Sequence, residues 1–312
     1  MKSPNKKTLK FLLKLLITLA FTAWVIFSTS WRDVWLYVSE IKPLYLIAYI
    51  LFLFLGFWVS SRKWQILANF KGIKLSSLEF FQLYFIGTFI NNFMPSFIAG
   101  DAYKAYEIGK KNEKYTQAAS TVMMDRITGL VAATLLALLF LFFNFQNLVE
   151  SRILIASAAI LLISLSIDCL MPQIRKIAWL KRLVFRMAPE KLVEFLKELG
   201  SYNRNSGILG HSVFYSIVFS LIGVGALNYI LFLALGIEIN ILDYLSVIFI
   251  ISIVSALPIS INNIGIKEWA YVTFFGIFAL SPAAVLTVAI VSRTIQMLVS
   301  LFALPLYLER KK

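Results

Sequence analysis

Long apolar runs, recurring from one end of the chain to the other, decide what it folds into. Residues 11–28, 43–61, 118–143, 152–171, 208–235 and 283–308 each come close to or exceed the roughly 20 residues that one helical crossing of hydrocarbon needs. A backbone in lipid must satisfy its own polar groups, so these runs are expected to be helices. The fold class is therefore an all-α polytopic membrane protein, one transmembrane domain over 1–312. Its first half is 1–171, a basic amphipathic segment covers 172–207, and its second half is 208–312. Hydrophobic residues make up 60% of the chain, and the longest polar stretch is too short to fold as a separate catalytic domain. Whatever the protein does is expected to be done within the membrane or at its surface.

Charge sets the orientation. The net charge of +14 lies in short loops and tails beside apolar runs, which the excess of Lys and Arg on the cytoplasmic side explains without nucleic acid. Lys2, Lys6, Lys7, Lys10 and Lys14 precede the first run with no acid among them. With no convincing cleavage site beyond, they imply an uncleaved anchor with a cytoplasmic N-terminus. Arg62, Lys63, Lys71 and Lys74 against Glu79 mark the next loop as cytoplasmic, as do eight basic residues against three acids over 172–207. Within that segment Ile177, Leu180, Val184 and Met187 share one helical face, the pattern of a helix lying on an anionic leaflet. The tail ERKK places the C-terminus on the same side. The expected location is the plasma (inner) membrane, multi-pass. One cysteine, Cys169, and one histidine, His211, allow neither an internal disulfide nor a Cys/His metal site.

Two stretches break the pattern. NNFMPSFIAGDAYKAYEIGKK, residues 91–111, interrupts a greasy segment with Asn91, Asn92, Pro95, Gly100, Asp101 and Lys104. LPISINNIGIKEWAYV repeats the device with Pro258, Asn262, Asn263, Gly265, Lys267 and Glu268. If residues 79–94 crossed outright, the Lys-rich stretch at 104–114 would be external, against its charge. The bias instead predicts a re-entrant helical hairpin over 79–108 and a second, entering from outside, over 244–281. Downstream, Arg126 follows Gly100 by 26 residues and Arg293 follows Gly265 by 28, each inside an apolar run. Paired hairpins of opposite entry, each followed by a buried arginine, are what an inverted-topology repeat predicts.

An ionised side chain at the bilayer centre costs about 3 kcal/mol on insertion scales, so it faces the bundle interior and finds a partner. One reading pairs Asp125 or Asp101 with Arg126, and Glu268 with Arg293, purely to hold hairpins against spans. The other notes four cations, Lys104, Arg126, Lys267 and Arg293, against three acids, and sets them around a polar cavity for an anionic group. Helix starts after Gly100 and Gly265 then add free amides and positive dipole ends. The asparagines either line that cavity or cap the broken half-helices. The candidate substrate-binding set is completed by Gln296 on the last span; no catalytic residue, cofactor or metal is expected.

The pattern Asn91, Pro95, Gly100, Asp101, Lys104, then Asp125-Arg126, then Pro258, Gly265, Lys267-Glu268 and a later Arg293 resembles the lysylphosphatidylglycerol synthase transmembrane region, or flippase-like, family. Lys104 stands where the family usually has arginine, and Asp125-Arg126 where Glu-Arg is commoner; both keep the charge. The resemblance implies an eight-span-like bundle moving an anionic or aminoacylated phospholipid, or a polyprenyl-linked lipid, between leaflets. In the synthases a soluble aminoacyl transferase follows this region. Here the sequence stops at Lys312, so lipid movement without lysyl transfer is the expectation. With no G-x4-G-K-[ST] loop for ATP, such movement is downhill or ion-coupled. A membrane-embedded enzyme using Asp101 and Glu268 as paired carboxylates, or a small-solute transporter, are the alternatives. The expected partner is a membrane phospholipid or polyprenyl-linked lipid, with no nucleic acid; a homo-oligomer is compatible with the sequence.

Overall fold

The computed structural model describes residues 6–28, 30–94, 98–148, 157, 161, 189–257 and 260–310. Within them the chain is helical, with no strand. The helices of nine residues or more are α1 (Lys6–Ser28), α2 (Trp31–Ser39), α3 (Pro43–Phe70), α4 (Ser77–Phe93), α5 (Ala99–Asn112), α6 (Tyr115–Phe143), α7 (Glu190–Ser201), α8 (Ser206–Ala234), α9 (Ile241–Ser255), α10 (Ile266–Phe275) and α11 (Pro282–Glu309). Four of them, α3, α6, α8 and α11, are long and apolar enough to cross a membrane. Of the expected span at 152–171 only residues 157 and 161 are described, and all of 172–188 in the basic segment, with both Pro95 and Pro258, lie outside the described residues.

Local chemistry sets the ends of these helices. Ser76 and Glu79 form a reciprocal capping box that starts α4. The side chains of Asn205 and Asn240 accept from the amides of Ile208 and Leu242 at the starts of α8 and α9. The helix α3 stops where Gly72 adopts φ +68, a left-handed turn that lets the Ile73 amide reach back to the Ala68 carbonyl at 3.0 Å. It runs nine residues beyond the expected end of its apolar stretch, so Arg62 and Lys63 are helical, not loop, residues. Trp64, Leu67 and Ala68 continue a buried face through this extension.

Packing relies on small residues, because lipid supplies no hydrophobic drive between helices and close backbone approach must do the work. A methyl group on Gly56 of α3 would sit 3.3 Å from the Gly223 Cα of α8. One on Gly100 of α5 would lie 1.9 Å from the Gly87 carbonyl oxygen of α4. Together with the Glu79–Lys111 ion pair at 2.5 Å, that contact makes α4 and α5 an antiparallel pair. Its partner pair is α9 and α10, where Tyr244 near the start of one stacks on Phe275 at the end of the other, ring centroids 5.8 Å apart. The core between the pairs and the long helices is built of Tyr49, Leu231, Phe249, Tyr271, Val288 and Ala289, all essentially inaccessible.

Candidate functional site

The first charged cluster lies where α3, α4, α5 and α6 meet. Asp101 faces Lys104 at 2.8 Å, one helical turn away, and accepts from Nε of Arg126 on α6. Asp125 does not join Arg126. It pairs with Lys63 at 2.8 Å, and the same ammonium also donates to the Asp125 carbonyl. The Lys104 ammonium lies over the rings of Tyr84, 4.7 Å, and Trp64, 5.2 Å, contacts that stabilise a desolvated cation. Trp64 is fixed in turn by its indole N–H on Thr121 Oγ1 at 2.9 Å. Lys63, Asp101, Lys104 and Asp125 are all buried.

A second cluster forms around the start of α10. Asn262 and Asn263, at φ 51 and 55, and Gly265, at φ 82, turn the chain sharply. Their carbonyls emerge toward α11, where Arg293 donates to Asn262 O and Asn263 O, both at 3.1 Å, and to Glu268 at 3.0 Å. The other Glu268 oxygen accepts from the Gly265 amide at 2.7 Å, capping α10. Gly265 also has no space for a side chain, since a methyl there would lie 2.3 Å from Phe21 Cβ of α1. From the same helix, Thr18 Oγ1 accepts from the Ile261 amide.

The glycine amides at the two breaks are thus taken. Gly265 is served by Glu268, and Gly100 donates to the Asn91 side chain at 2.7 Å. Asn91 is a cap, one of the two uses the sequence allowed. Asn92 is a bridge: it donates to Ser300 Oγ on α11 at 3.0 Å, and its carbonyl accepts from the Asn262 side chain at 3.1 Å. The two breaks therefore touch. A chain of bonds runs from Asp101 through Gly100, Asn91 and Asn92 to Asn262 and Arg293.

Beside the second cluster lies a network of largely neutral groups. Ser292 Oγ is 3.1 Å from the Tyr49 hydroxyl, 3.1 Å from Gln296 Nε2, 3.2 Å from Lys267 Nζ and 3.4 Å from Asn228 Oδ1. Tyr271 donates to Asn228 at 2.9 Å, and Gln296 also donates to Tyr49 at 3.0 Å. Asn228 lies two residues past a π-helical stretch, Ser220–Ala226, whose Gly225 carbonyl accepts from Tyr244 at 2.7 Å. Such a widened turn rotates the residues after it relative to a regular helix.

Sequence reasoning missed Lys63, Tyr49, Asn228, Tyr271 and Ser292. Lys63 carried a signal, the i, i+4 continuation of an apolar face past Arg62. The neutral residues carried none, since one Tyr or Ser inside a span has no distinguishing pattern.

The family model described as Lysylphosphatidylglycerol synthase TM region matches residues 11–303. No curated protein and no solved structure matches the chain.

Proposed function

The chain belongs to the lysylphosphatidylglycerol synthase TM region family, and from that premise we propose that it moves a lipid with an anionic headgroup, a phospholipid or a polyprenyl-linked lipid, between leaflets. The observation that carries this reading is the charge balance at two touching breaks. The first cluster holds three cations, Lys63, Lys104 and Arg126, against two carboxylates, Asp101 and Asp125. The second holds Lys267 and Arg293 against Glu268. Among the described residues each holds one cation more than it has carboxylates. At about 3 kcal/mol per charge inside a bilayer, such an excess is costly for a purely structural device and suits a site that receives an anion.

Helix length supports re-entry. At 1.5 Å per residue, α4, α5, α9 and α10, with 17, 14, 15 and 10 residues, reach roughly 25, 21, 22 and 15 Å, short of a core about 30 Å thick. Two such pairs entering from opposite faces form an inverted repeat whose tips join at Asn92–Asn262, and the headgroup passes there while acyl chains stay in lipid. Acid–base chemistry fits less well, because Asp101 and Glu268 are each engaged by an arginine and a second donor. The protein reconstituted into liposomes is expected to speed equilibration of labelled phosphatidylglycerol across the leaflets. Rates equal to those of empty vesicles, for several anionic headgroups, would remove the proposal.

A further inference from the structure

Hydrogen-bond counting separates Lys267 from the other cations of the two clusters. Lys63, Lys104, Arg126 and Arg293 each lie against a carboxylate. Lys267 has none within 4 Å among the described residues, and Glu268 beside it is occupied through both oxygens, by Arg293 and by the Gly265 amide. Its polar partner is Ser292 Oγ at 3.2 Å.

That hydroxyl is oversubscribed. Its two lone pairs face three groups able to donate, Lys267, Gln296 and Tyr49, while its own proton is directed to Asn228 Oδ1. Asn228 Oδ1 already accepts from Tyr271. An ammonium brings three N–H donors, so at least two are left without an acceptor in this network. The Tyr49 hydroxyl falls back on a long 3.4 Å contact to the Ser292 carbonyl. Lys267 and Gln296 are half-buried, while Tyr49, Ser292 and Tyr271 are buried. A partly enclosed surplus of donors around one positive charge lacks a single component, an oxygen-rich monoanion.

We infer that Lys267 is the docking cation for one phosphate-class oxyanion, with Gln296 and Tyr49 as its neutral donors. The inference rests on the lipid-movement reading for its ligand, the phosphodiester of a lipid headgroup. Free phosphate offers the same chemistry.

The test uses the full chain in detergent, delipidated by exchange, and follows the thermal-unfolding midpoint during titration with three probes: phosphatidylglycerol in mixed micelles, inorganic phosphate, and phosphate-free diacylglycerol. Losing a charge-assisted hydrogen bond is expected to weaken phosphatidylglycerol binding roughly tenfold or more in Lys267→Met. Lys267→Arg restores much of it, and diacylglycerol binding is the same in all three proteins. Weakening confined to inorganic phosphate keeps the oxyanion site but assigns it to a soluble anion, against the lipid reading. Equal binding of both phosphate probes by wild type and Lys267→Met overturns the inference. If Lys267→Met does not fold, Lys267→Gln is judged by the same criteria. Wild-type protein that binds phosphate through Lys267 yet moves no lipid in vesicles defeats the transport proposal and leaves this site standing.

Discussion

Lys63 and Asp125 hold each other 2.8 Å apart with side chains 4% and 9% exposed, so neither charge has water to fall back on. Removing one partner of a buried pair strands the other, at a cost of about 3–5 kcal/mol, whereas replacing both with apolar side chains is often neutral. Lys63→Met is therefore expected to lower the thermal-unfolding midpoint sharply, and Lys63→Met combined with Asp125→Leu to recover most of the loss. A double variant as unstable as the two single losses added together would show that the pair does not act as a unit. Gly100 and Gly210 make a second contrast. A methyl at Gly100 meets the Gly87 carbonyl at 1.9 Å, while one at Gly210 has nothing within 4 Å. Gly100→Ala should fail to give monodisperse protein on size exclusion; Gly210→Ala should match or slightly exceed wild-type stability, since alanine favours helix by about 1 kcal/mol.

At the scale of elements, the mouth of the α4–α5 pair is held by Glu79, which lies outside the spans. The Lys111 ammonium, first, and the Ser76 amide, second, hold its carboxyl down to about 2 from an ordinary 4.5. A depressed carboxylate contributes stability that is fully present above the unfolded value and is lost as pH falls through the folded one. The advantage of wild type over Glu79→Gln in melting temperature is thus expected to hold above about pH 4.5 and to shrink between there and about pH 2. An advantage independent of pH would mean that the capping bond, and not the charge, is what matters. A comparable tie holds α7 to the end of α3: Lys71 lies 2.5 Å from Glu198 and 4.6 Å above the Tyr202 ring, and the Tyr202 hydroxyl donates to the Leu67 carbonyl at 3.0 Å. Burial raises the Tyr202 phenol well above its usual range, so it stays a neutral donor there.

Across the whole molecule the two broken pairs are joined by a hydrogen bond from the Asn262 side chain to the Asn92 carbonyl. If lipid movement requires them to separate, fixing them together stops it. Asn92→Cys with Asn262→Cys, in a Cys169→Ser background, joined by a short bifunctional thiol reagent, is expected to arrest phosphatidylglycerol equilibration, and a reducible linker should restore it on cleavage. Undiminished transport by the linked protein would show that the bridge is not opened in the cycle.

The sequence by itself determined the helical class, three of the four long spans to within a residue or three at each end, and the positions of both breaks, and it offered the Glu268–Arg293 pair as one of two readings. Hydrophobic run length, Pro/Gly punctuation and the cost of a charge in lipid are all properties of short windows. It read α3 as ending near residue 61, because a basic pair after an apolar run looks like a membrane border. Only the tertiary structure decided that Lys63 turns inward to Asp125, that Asp101 and not Asp125 takes Arg126, and that Asn92 reaches Asn262, 170 residues along the chain. Such choices depend on which helices become neighbours, and in lipid that is settled by close approach at Gly56, Gly87, Gly100 and Gly223 and by the matching of polar groups, information spread over the whole chain.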